Sequence, residues 1–409
     1  MTPTFPRTVL FIAIRLCLIT GMDKSGFQSD WPQQVETAIA MRRYLHRMPE
    51  LPWNEHQTAA YIRETLTYLD IPWRVCAETG TVATLGSGSS KHIALRADID
   101  ALPIKEETGV EWKSEHDGCM HACGHDGHTA TLMLVASVLK RQETNMPGRV
   151  SLLFQPAEEG GHGAKYMIED GALDGVDEIY GWHNWPALEH GTGFCPDGPI
   201  FSANASFSIH IKGQGGHASQ PEACRDPLLA GSAVVMALQQ IVSRRGAPQD
   251  PMVVSVTSFD GASNPTVIRD HVTIEGSIRA ADTNVCHQIG KWIQEIAEPV
   301  AAAYGTTATF TYKPRYAATC NHPEAAANVR QAIEQSLGEQ SASPIPLPLM
   351  ASEDFSYYLQ KVPGAFFVLG NRSNEKYANA CHTASYQFND DLIPQAANIM
   401  LQLTGISPR

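Results

Sequence analysis

The sequence has a shortage of basic residues. Lys and Arg together number 30 against 43 Asp and Glu, which gives a formal net charge of −13. Domains that bind nucleic acid present clustered positive charge, and proteins that bind anionic lipid carry polybasic segments. An acidic chain has no such footprint over its length. The charge balance therefore argues against nucleic acid and against a membrane surface as partners.

A disulfide framework is also missing. The nine cysteines are an odd number, and they are scattered from Cys17 to Cys381 without regular spacing. Small secreted proteins pair their cysteines at compact spacings, whereas free thiols persist in reducing compartments. The cysteine pattern therefore favours a cytoplasmic protein with free thiols.

Long apolar runs are scarce. Residues 8–20 are mostly apolar, but a membrane-spanning helix needs about 20 residues, and Arg15 interrupts this run. Arg7 before the run leaves a weak signal peptide as an alternative, although no small-x-small cleavage site precedes Gly21. We expect either that Met22 is the natural start or that residues 1–21 are dispensable, within an N-terminal extension of residues 1–30. No other run of the sequence is a candidate for a transmembrane helix.

The remaining composition is that of a globular α/β protein. Hydrophobic residues make up 43% and charged residues 18% of 409 residues, enough for two or three domains. Helical periodicity in VETAIAMRRYLHRM alternates with strand-like runs such as HIALRADID and RVSLLFQP, which predicts α/β layers. From about Ser202 the order of patterns becomes β-α-β-β-α-β, which is typical of a ferredoxin-like insertion. We predict one domain formed by residues 31–200 and 313–409, and an inserted domain at 201–312.

The densest chemical signal is MHACGHDGHTA at residues 120–130. His121, Cys123 and His125 are two residues apart, and alternate side chains of an extended segment face the same side. Cys123 and His125 can therefore present a sulfur and a nitrogen to one ion of the zinc type. A structural cysteine beside surface histidines is the alternative.

Further candidates follow other strand-like segments. In FQPAEEGGHGA, Glu158 and Glu159 follow a buried strand, so one carboxylate can bind metal while its neighbour stays free as a base. His183 in GWHNWP and His382 in ACHTASYQFND also lie near strand ends or loops, where α/β folds place their chemistry. His217 follows a glycine-rich turn, and it can donate a hydrogen bond to a developing oxyanion. Taken singly, each motif also has a structural explanation. The glutamate pair can lie in a solvated loop, the histidines can be packed side chains, and the glycine-rich segment can be a flexible turn.

Together these segments resemble the amidohydrolase branch of the co-catalytic metallopeptidases. That branch includes hippurate hydrolases, N-acyl-amino-acid amidohydrolases and indole-3-acetyl-amino-acid hydrolases. The matching segments run in family order from about residue 40 to the C-terminus: RRYLHRMPEL, LRADIDALPIKEETG, MHACGHDGHTA, FQPAEEGGHGAKYMI, GWHNWP, GQGGHASQP, VTIEGSIR, SEDFSYYL and CHTASYQFND.

The resemblance implies a fold and a site. The fold would be an α/β catalytic domain with a central mixed sheet flanked by helices, plus an inserted α+β ferredoxin-like domain for lid and dimerisation. The catalytic domain would hold two divalent ions of Mn, Zn, Co or Ni. Carried over by motif, the metal ligands are Cys123, His125, Glu159, His183 and His382.

The resemblance also implies the catalytic roles. Glu158 would be the general base, Asp98 an orienting group, and His217 the oxyanion donor, reaching the site of a partner subunit in a homodimer. The family commonly carries Asn-x-Ile-Pro before the strand that matches VTIEGSIR, and here Thr266 and Arg269 stand at the Asn and Pro positions.

This departure leaves the lid's substrate contacts open. Asn264, two residues earlier, is a candidate replacement beside Thr266. Arg279 matches the family, and it is our candidate for binding the substrate carboxylate as a bidentate partner. A structural salt bridge is the alternative role for Arg279.

The expected function is hydrolysis of the amide bond of small N-acyl-L-amino acids of the acetyl, benzoyl or indole-acetyl type. A metallo-carboxypeptidase or dipeptidase acting on short peptides is the alternative, since the same water chemistry serves both. A metal-binding protein without catalysis would show a broken ligand set or no base. Every ligand position and Glu158 are present in this sequence.

Overall fold

The computed structural model describes residues 24–338 and 348–408, which form two compact units. The first unit comprises the described residues within Met1–Phe194, Asn328–Ser343 and Phe367–Arg409. The second comprises those within Cys195–Ala327 and Pro344–Phe366. Among the described residues, no helix combines the length and the apolar character that crossing a membrane requires. The predicted alternatives for residues 1–21 lie outside the described residues.

The helices of the described chain carry the following bounds: α1 Trp31–Arg47, α2 His56–Tyr68, α3 His125–Arg141, α4 Gly163–Glu169, α5 Pro227–Leu238, α6 Thr283–Ala303, α7 Pro323–Leu337, α8 Ser356–Leu359 and α9 Leu392–Leu403. Local capping explains where several of them begin. Asp30 accepts a hydrogen bond from the backbone N–H of Gln33 at the start of α1, and Asp282 caps α6 in the same way.

The strands carry these bounds: β1 Trp73–Val75, β2 Thr81–Leu85, β3 Ser90–Asp98, β4 Gly148–Gln155, β5 Glu178–Glu189, β6 Gly193–Phe194, β7 Gly198–Phe201, β8 Ala203–Lys212, β9 Gly216–His217, β10 Met252–Asp260, β11 Val267–Ile268, β12 His271–Ala280, β13 Thr307–Pro314, β14 Thr319–Asn321 and β15 Gly364–Arg372.

A seven-stranded mixed sheet organises the first unit. Its strand order is β1-β2-β4-β3-β5-β15-β6. β3 pairs in parallel with both β4 and β5, and the outer pairs β1–β2 and β15–β6 are antiparallel. Helices α1, α3 and α9 pack on one another, and α3 also contacts β3 and β4. The predicted mixed sheet flanked by helices is confirmed.

The register of the parallel strands brings the predicted site residues to one level. Asp98, the last residue of β3, lies opposite Gln155, the last residue of β4. On the other side, Arg96 lies opposite Gly181 of β5, so Asp98 is level with His183 two residues further on. The loop that carries both glutamates begins directly after β4. Parallel strands thus deliver the motifs to the same edge of the sheet, as expected for an α/β fold.

Helix α3 is buried on every side, from His125 to Leu139. Gly124 precedes it with φ +95°, a conformation that a side chain rarely adopts. A Cβ at Gly124 would also lie 2.4 Å from the amide nitrogen of Asn184 and 2.5 Å from the Tyr386 hydroxyl. A glycine is therefore required where the chain turns from Cys123 into the helix.

The second unit contains the predicted β-α-β-β-α-β element order, as β8-α5-β10-β12-α6-β13. These strands form a four-stranded antiparallel sheet with the order β10-β12-β8-β13. Helices α5 and α6 pack on it and enclose a core of Ile, Val and Ala side chains. This part of the fold confirms the predicted ferredoxin-like pattern.

The second unit extends beyond the predicted insertion at 201–312. The prediction places residues 313–409 in the other domain, yet the second unit also includes β14 and the described residues of Pro344–Phe366. β14 pairs with β7 outside the four-stranded sheet, and the Asn321 side chain accepts the N–H of Phe366 at 2.7 Å. These pairings join segments far apart in sequence, which composition and periodicity do not reveal.

Candidate metal centre

All five predicted metal ligands lie in the first unit. Their donor atoms form overlapping groups in which every atom lies within 4.8 Å of the others. The groups are Cys123 with His125 and His183, Cys123 with Glu159 and His382, and His125 with Glu158 and Glu159. Because Cys123, His125 and Glu159 each belong to two groups, the structure brings the five predicted ligands and Glu158 into one cluster.

Cys123 and His125 meet the cluster through a turn rather than through an extended segment. Cys123 lies in the loop, and His125 is the first residue of α3. The alternation of side chains predicted for residues 121–125 is therefore wrong as a local geometry, although both side chains still join the cluster. His121 is buried, and it belongs to none of the donor groups among the described residues.

His125 and His183 each use one ring nitrogen in a hydrogen bond to a backbone oxygen, and the other ring nitrogen of each is directed into the cluster. His125 Nδ1 bonds to the backbone oxygen of Asp100 at 3.0 Å, and its Nε2 has no hydrogen-bond partner among the described residues. His183 Nδ1 bonds to the backbone oxygen of Asn184 at 2.6 Å, and its Nε2 lies 3.3 Å from Cys123 Sγ. In the neutral ring, an N–H held by a carbonyl leaves the other nitrogen with a lone pair that can bind a metal.

The electrostatics of the cluster favour positive charge. Burial acts to lower the pKa of His125, but the carboxylates of Asp98, Asp100 and Glu159 outweigh it and raise that pKa to about 10. Burial also acts to raise the pKa of Glu159, but the hydrogen bond from His382 and the charge of His125 lower it instead. A buried histidine surrounded by carboxylates marks a place where a cation is stabilised.

The donor set fits divalent metal ions. It combines one sulfur, three imidazoles and two carboxylates, and His125 Nε2 is buried without a hydrogen-bond partner among the described residues. Contact with the Cys381 thiol, burial and the nearby glutamates raise the pKa of Cys123 well above its usual range, so without a cation it is a thiol. Sulfur, imidazole and carboxylate together suit zinc and related borderline ions.

Asp98 is fully buried next to the cluster, and its carboxylate links side chains of β3 and α3. Its carboxylate accepts from Arg96 Nη1 at 2.6 Å and from His128 Nδ1 at 2.6 Å, and it lies 3.6 Å from His125 Nε2. Burial acts to raise the pKa of Asp98, but the charges of His125 and Arg96 lower it well below its usual range. This environment suits the predicted orienting role.

Sequence reasoning missed His128 and Asn184. The Nε2 of His128 accepts the backbone N–H of Asn184 at 3.3 Å while its Nδ1 holds Asp98, so neither nitrogen is left for a metal. Asn184 donates to the backbone oxygen of Cys123 at 2.7 Å and accepts from Tyr386 at 2.6 Å. The spacing of His125 and His128 by three residues on a helix was the available signal, because such residues share a face.

Asp100 is a further positioning residue that the sequence analysis quoted within its motif but did not select. One carboxylate oxygen lies 3.2 Å from His125 Nδ1, and the other accepts the backbone N–H of Glu159 at 2.9 Å. One buried side chain thus orients two predicted ligands that are 34 positions apart in the sequence.

Replacing Asp100 by Asn is expected to weaken metal binding by about 10- to 100-fold. The amide keeps the shape but cannot accept from both His125 and Glu159, so it favours the wrong histidine tautomer or leaves the Glu159 N–H unpaired. Zinc titration against a competing chelator measures the change. Asp117→Asn, at an exposed aspartate of the same unit, is the control. Equal affinity in both variants would exclude this role.

Three predicted lid residues lie together in the second unit. His217 on β9 pairs with Val267 on β11, and the Ala218 N–H donates to the Thr266 backbone oxygen at 2.9 Å. Asn264 Oδ1 accepts from both the backbone N–H and the hydroxyl of Thr266, at 3.1 and 2.9 Å. The altered segment therefore forms an exposed, self-bonded turn beside His217.

Arg279 lies on β12 in the same unit. Its Nη1 donates to the Ser352 hydroxyl at 2.8 Å, and among the described residues it forms no ion pair. Burial and the charge of Arg315 lower its pKa. A half-buried guanidinium without an acidic partner supports the anion-binding role over the structural salt bridge.

Comparison with known proteins gives matches over most of the chain. The sequence profile of the peptidase family M20/M25/M40 matches residues 94–405. An N-acetyl-L-cysteine deacetylase of Bacillus subtilis is 39% identical over 347 residues, covering 84% of this chain and 83% of that protein. The IAA-amino acid hydrolase ILR1-like 4 of Arabidopsis thaliana is 37% identical over 367 residues, covering 88% and 83%.

A solved structure is similar over nearly the whole chain. The Bacillus subtilis YXEP protein, a dinuclear metal-binding peptidase, has a TM-score of 0.80 and 31% sequence identity to this chain. The match covers 91% of this chain and 98% of that protein.

Proposed function

The chain belongs to the peptidase family M20/M25/M40, and from this premise we propose that it hydrolyses the amide bond of N-acyl-L-amino acids with Glu158 as the proton-transferring group. The membership confirms the family resemblance drawn from the motifs, and it makes the protein a hydrolase. A small-molecule amide as substrate agrees with the relatives, one of which is a deacetylase of N-acetyl-L-cysteine.

The observation that carries this proposal is the different placement of two adjacent glutamates. Glu159 lies 3.0 Å from His382 Nε2, and it shares a donor group with His382 and Cys123. Glu158 approaches His125 and Glu159 but belongs to no donor group with Cys123 or His382 among the described residues. This difference in donor groups supports metal binding by Glu159 and proton exchange by Glu158.

Two divalent ions per chain complete this site. Cys123, His125, Glu159, His183 and His382 would hold them, in agreement with the dinuclear relative. When bound, such ions act as Lewis acids that polarise a carbonyl and lower the pKa of water towards neutrality. Mn, Zn, Co and Ni are all compatible with this mixture of donors.

Glu158 performs the proton transfers. Glu158 is only 7% exposed, so its carboxylate is largely shielded from bulk solvent. The carboxylate takes a proton from the water as the acyl carbon is attacked. It then delivers that proton to the amide nitrogen, because an unprotonated amine is a very poor leaving group.

His217 and Arg279 are the proposed substrate-contacting residues. His217 donates a hydrogen bond to the tetrahedral oxyanion. Arg279 binds the carboxylate of the amino-acid half, since its half-buried guanidinium donates to the Ser352 hydroxyl and has no acidic partner within the described part of the chain. The exposed turn of Asn264 and Thr266 contributes to selectivity, since it differs from the pattern common in the family.

A metal-reconstituted substrate screen tests the function. N-acetyl, N-benzoyl and indole-acetyl amino acids are compared with dipeptides at equal concentration, and release of the free amino acid is measured. We expect kcat/KM to be higher for an N-acyl amino acid than for every dipeptide. A preference for dipeptides would instead support the peptidase alternative, which the dinuclear peptidase relative favours.

A homodimer through the second unit is part of the proposal. Helix α5 and strand β10 present a set of large apolar side chains to solvent, and such patches mark protein interfaces. The most exposed are Met236 at 73% and Leu229 at 56%. Because β10 is an edge strand, it also offers unpaired backbone groups.

The double variant Leu229→Glu/Met236→Glu is expected to shift the protein from dimer to monomer. Two buried, unpaired carboxylates would oppose association. Light scattering with size-exclusion chromatography measures the mass. Tyr68→Glu, at an exposed aromatic of the first unit, should remain dimeric. A double variant with the mass of the wild type would reject this surface as the interface.

A cytoplasmic location is also proposed. The eight cysteines of the described chain are free thiols, and six of them are buried. Free thiols of this kind fit a reducing compartment. Cell fractionation of the native protein tests this, and recovery from the culture medium would contradict it.

A further inference from the structure

Cys381 is a thiol next to the metal centre that the proposed function does not use. It immediately precedes His382, and the backbone N–H of His382 donates to the Ala122 oxygen at 2.8 Å. Ala122 is the residue before Cys123 and His382 is the residue after Cys381, so this bond joins the two segments that carry the cysteines. Cys123 Sγ also lies within 4.8 Å of a ring nitrogen of His382.

The two thiols are close neighbours. The backbone bond between His382 and Ala122 brings their chain segments together, and hydrogen bonding with the Cys381 side chain is the largest cause of the raised Cys123 pKa. Both residues are free cysteines, Cys123 being buried and Cys381 partly exposed. A small oxidant therefore reaches Cys381 more easily than it reaches Cys123.

The segment that carries Cys381 is tied in place. Glu107 donates its backbone N–H to the Ala384 oxygen at 2.8 Å, and the Thr383 hydroxyl donates to the Ala380 oxygen at 2.8 Å. These bonds fix the loop that carries the partly exposed Cys381.

We propose that Cys123 and Cys381 form an oxidative modification site, in which a hydroperoxide converts the two thiols into a disulfide. In the first step the peroxide transfers an oxygen atom to Cys381 and is reduced to water or an alcohol, leaving a sulfenic acid. In the second step the Cys123 sulfur attacks the Cys381 sulfur, an S–S bond forms and water leaves.

The disulfide and the metal compete for one sulfur. A metal needs Cys123 as a thiolate, whereas a disulfide sulfur carries no negative charge. Oxidation therefore removes one proposed ligand, and bound metal in turn protects Cys123 from oxidation. This consequence depends on the proposed function, in which Cys123 is a ligand, but formation of the disulfide does not.

The test uses the full chain, metal-free or loaded with zinc, and hydrogen peroxide as the oxidant. For the metal-free protein we expect the intact mass to fall by the mass of two hydrogen atoms. After proteolysis we expect a disulfide-linked pair of peptides that contain Cys123 and Cys381. Zinc loading should slow its formation. The oxidised protein should lose zinc binding, and a thiol reductant should restore it.

Cys381→Ser is the decisive variant, and Cys320→Ser, at an exposed cysteine, is its matched control. Under peroxide, Cys320→Ser should form the disulfide like the wild type, and Cys381→Ser should not. Before oxidation both should bind zinc like the wild type. Absence of the linked peptides in the metal-free wild type would overturn the proposal, whatever the hydrolytic activity. Disulfide formation with unchanged zinc binding would instead overturn the role of Cys123 as a ligand.

Discussion

Glu158→Gln is expected to retain the wild-type metal content and to lower kcat by about 100- to 10,000-fold. Gln has nearly the shape of Glu, so it fits the same buried position, but its amide does not accept a proton from water. Among the described residues, the group of Cys123 with His125 and His183 and the group of Cys123 with Glu159 and His382 do not include Glu158, so both remain in the variant. Steady-state kinetics and elemental analysis of the same sample measure both quantities.

The neighbouring glutamate is the matched control for this variant. Glu159→Gln removes the charge that faces His382 at 3.0 Å, so we expect it to lose metal as well as activity. The two variants thus separate proton transfer from metal binding at adjacent positions. Wild-type turnover in Glu158→Gln would remove Glu158 from the mechanism.

His382→Ala is expected to bind less metal and to lose most of the hydrolytic activity. The His382 side chain is 52% exposed, so its removal leaves no buried cavity and the metal-free protein should keep its melting temperature. Losing one imidazole from the group with Cys123 and Glu159 weakens the site directly. Elemental analysis, kinetics and thermal unfolding of the metal-free form are the measurements.

His56→Ala provides the comparison for this effect. His56 is an exposed histidine of the same unit, at the start of α2, and it belongs to no donor group among the described residues. We expect its metal content and activity to match the wild type. If His382→Ala also kept full metal content, His382 would not be a ligand.

Much of the fold was predictable from local patterns. The apolar runs of β4 and β15 and the period of two in β8 reflect burial on two faces or one, which each strand records in its own residues. The element order of the second unit was predictable for the same reason, since each helix and strand carries its own pattern of apolar residues. The limits of the two units could not be predicted from local patterns, because β7 and β14 pair across more than a hundred positions of the sequence.

Some residues of the candidate site were also predictable from the sequence, and others were not. Side chains that bind metal or move protons must be of particular types, so Cys123, Glu158 and His382 stand out within short motifs. Side chains that orient them, such as Asp100 and His128, act through one hydrogen bond to a distant residue, and many residue types can make such a bond. Their roles become visible only when the partner is known.

The sequence by itself therefore determined the family, the mixed α/β architecture and the residue types of the centre, since each is encoded in spacing, periodicity or donor chemistry along the chain. Only the tertiary structure decided which carboxylate faces which imidazole, which histidine nitrogens lie at the cluster, and that Cys381 lies beside Cys123. Those facts depend on distances of a few ångströms between segments up to 258 positions apart, from 123 to 381, and such distances are set by packing rather than by local sequence.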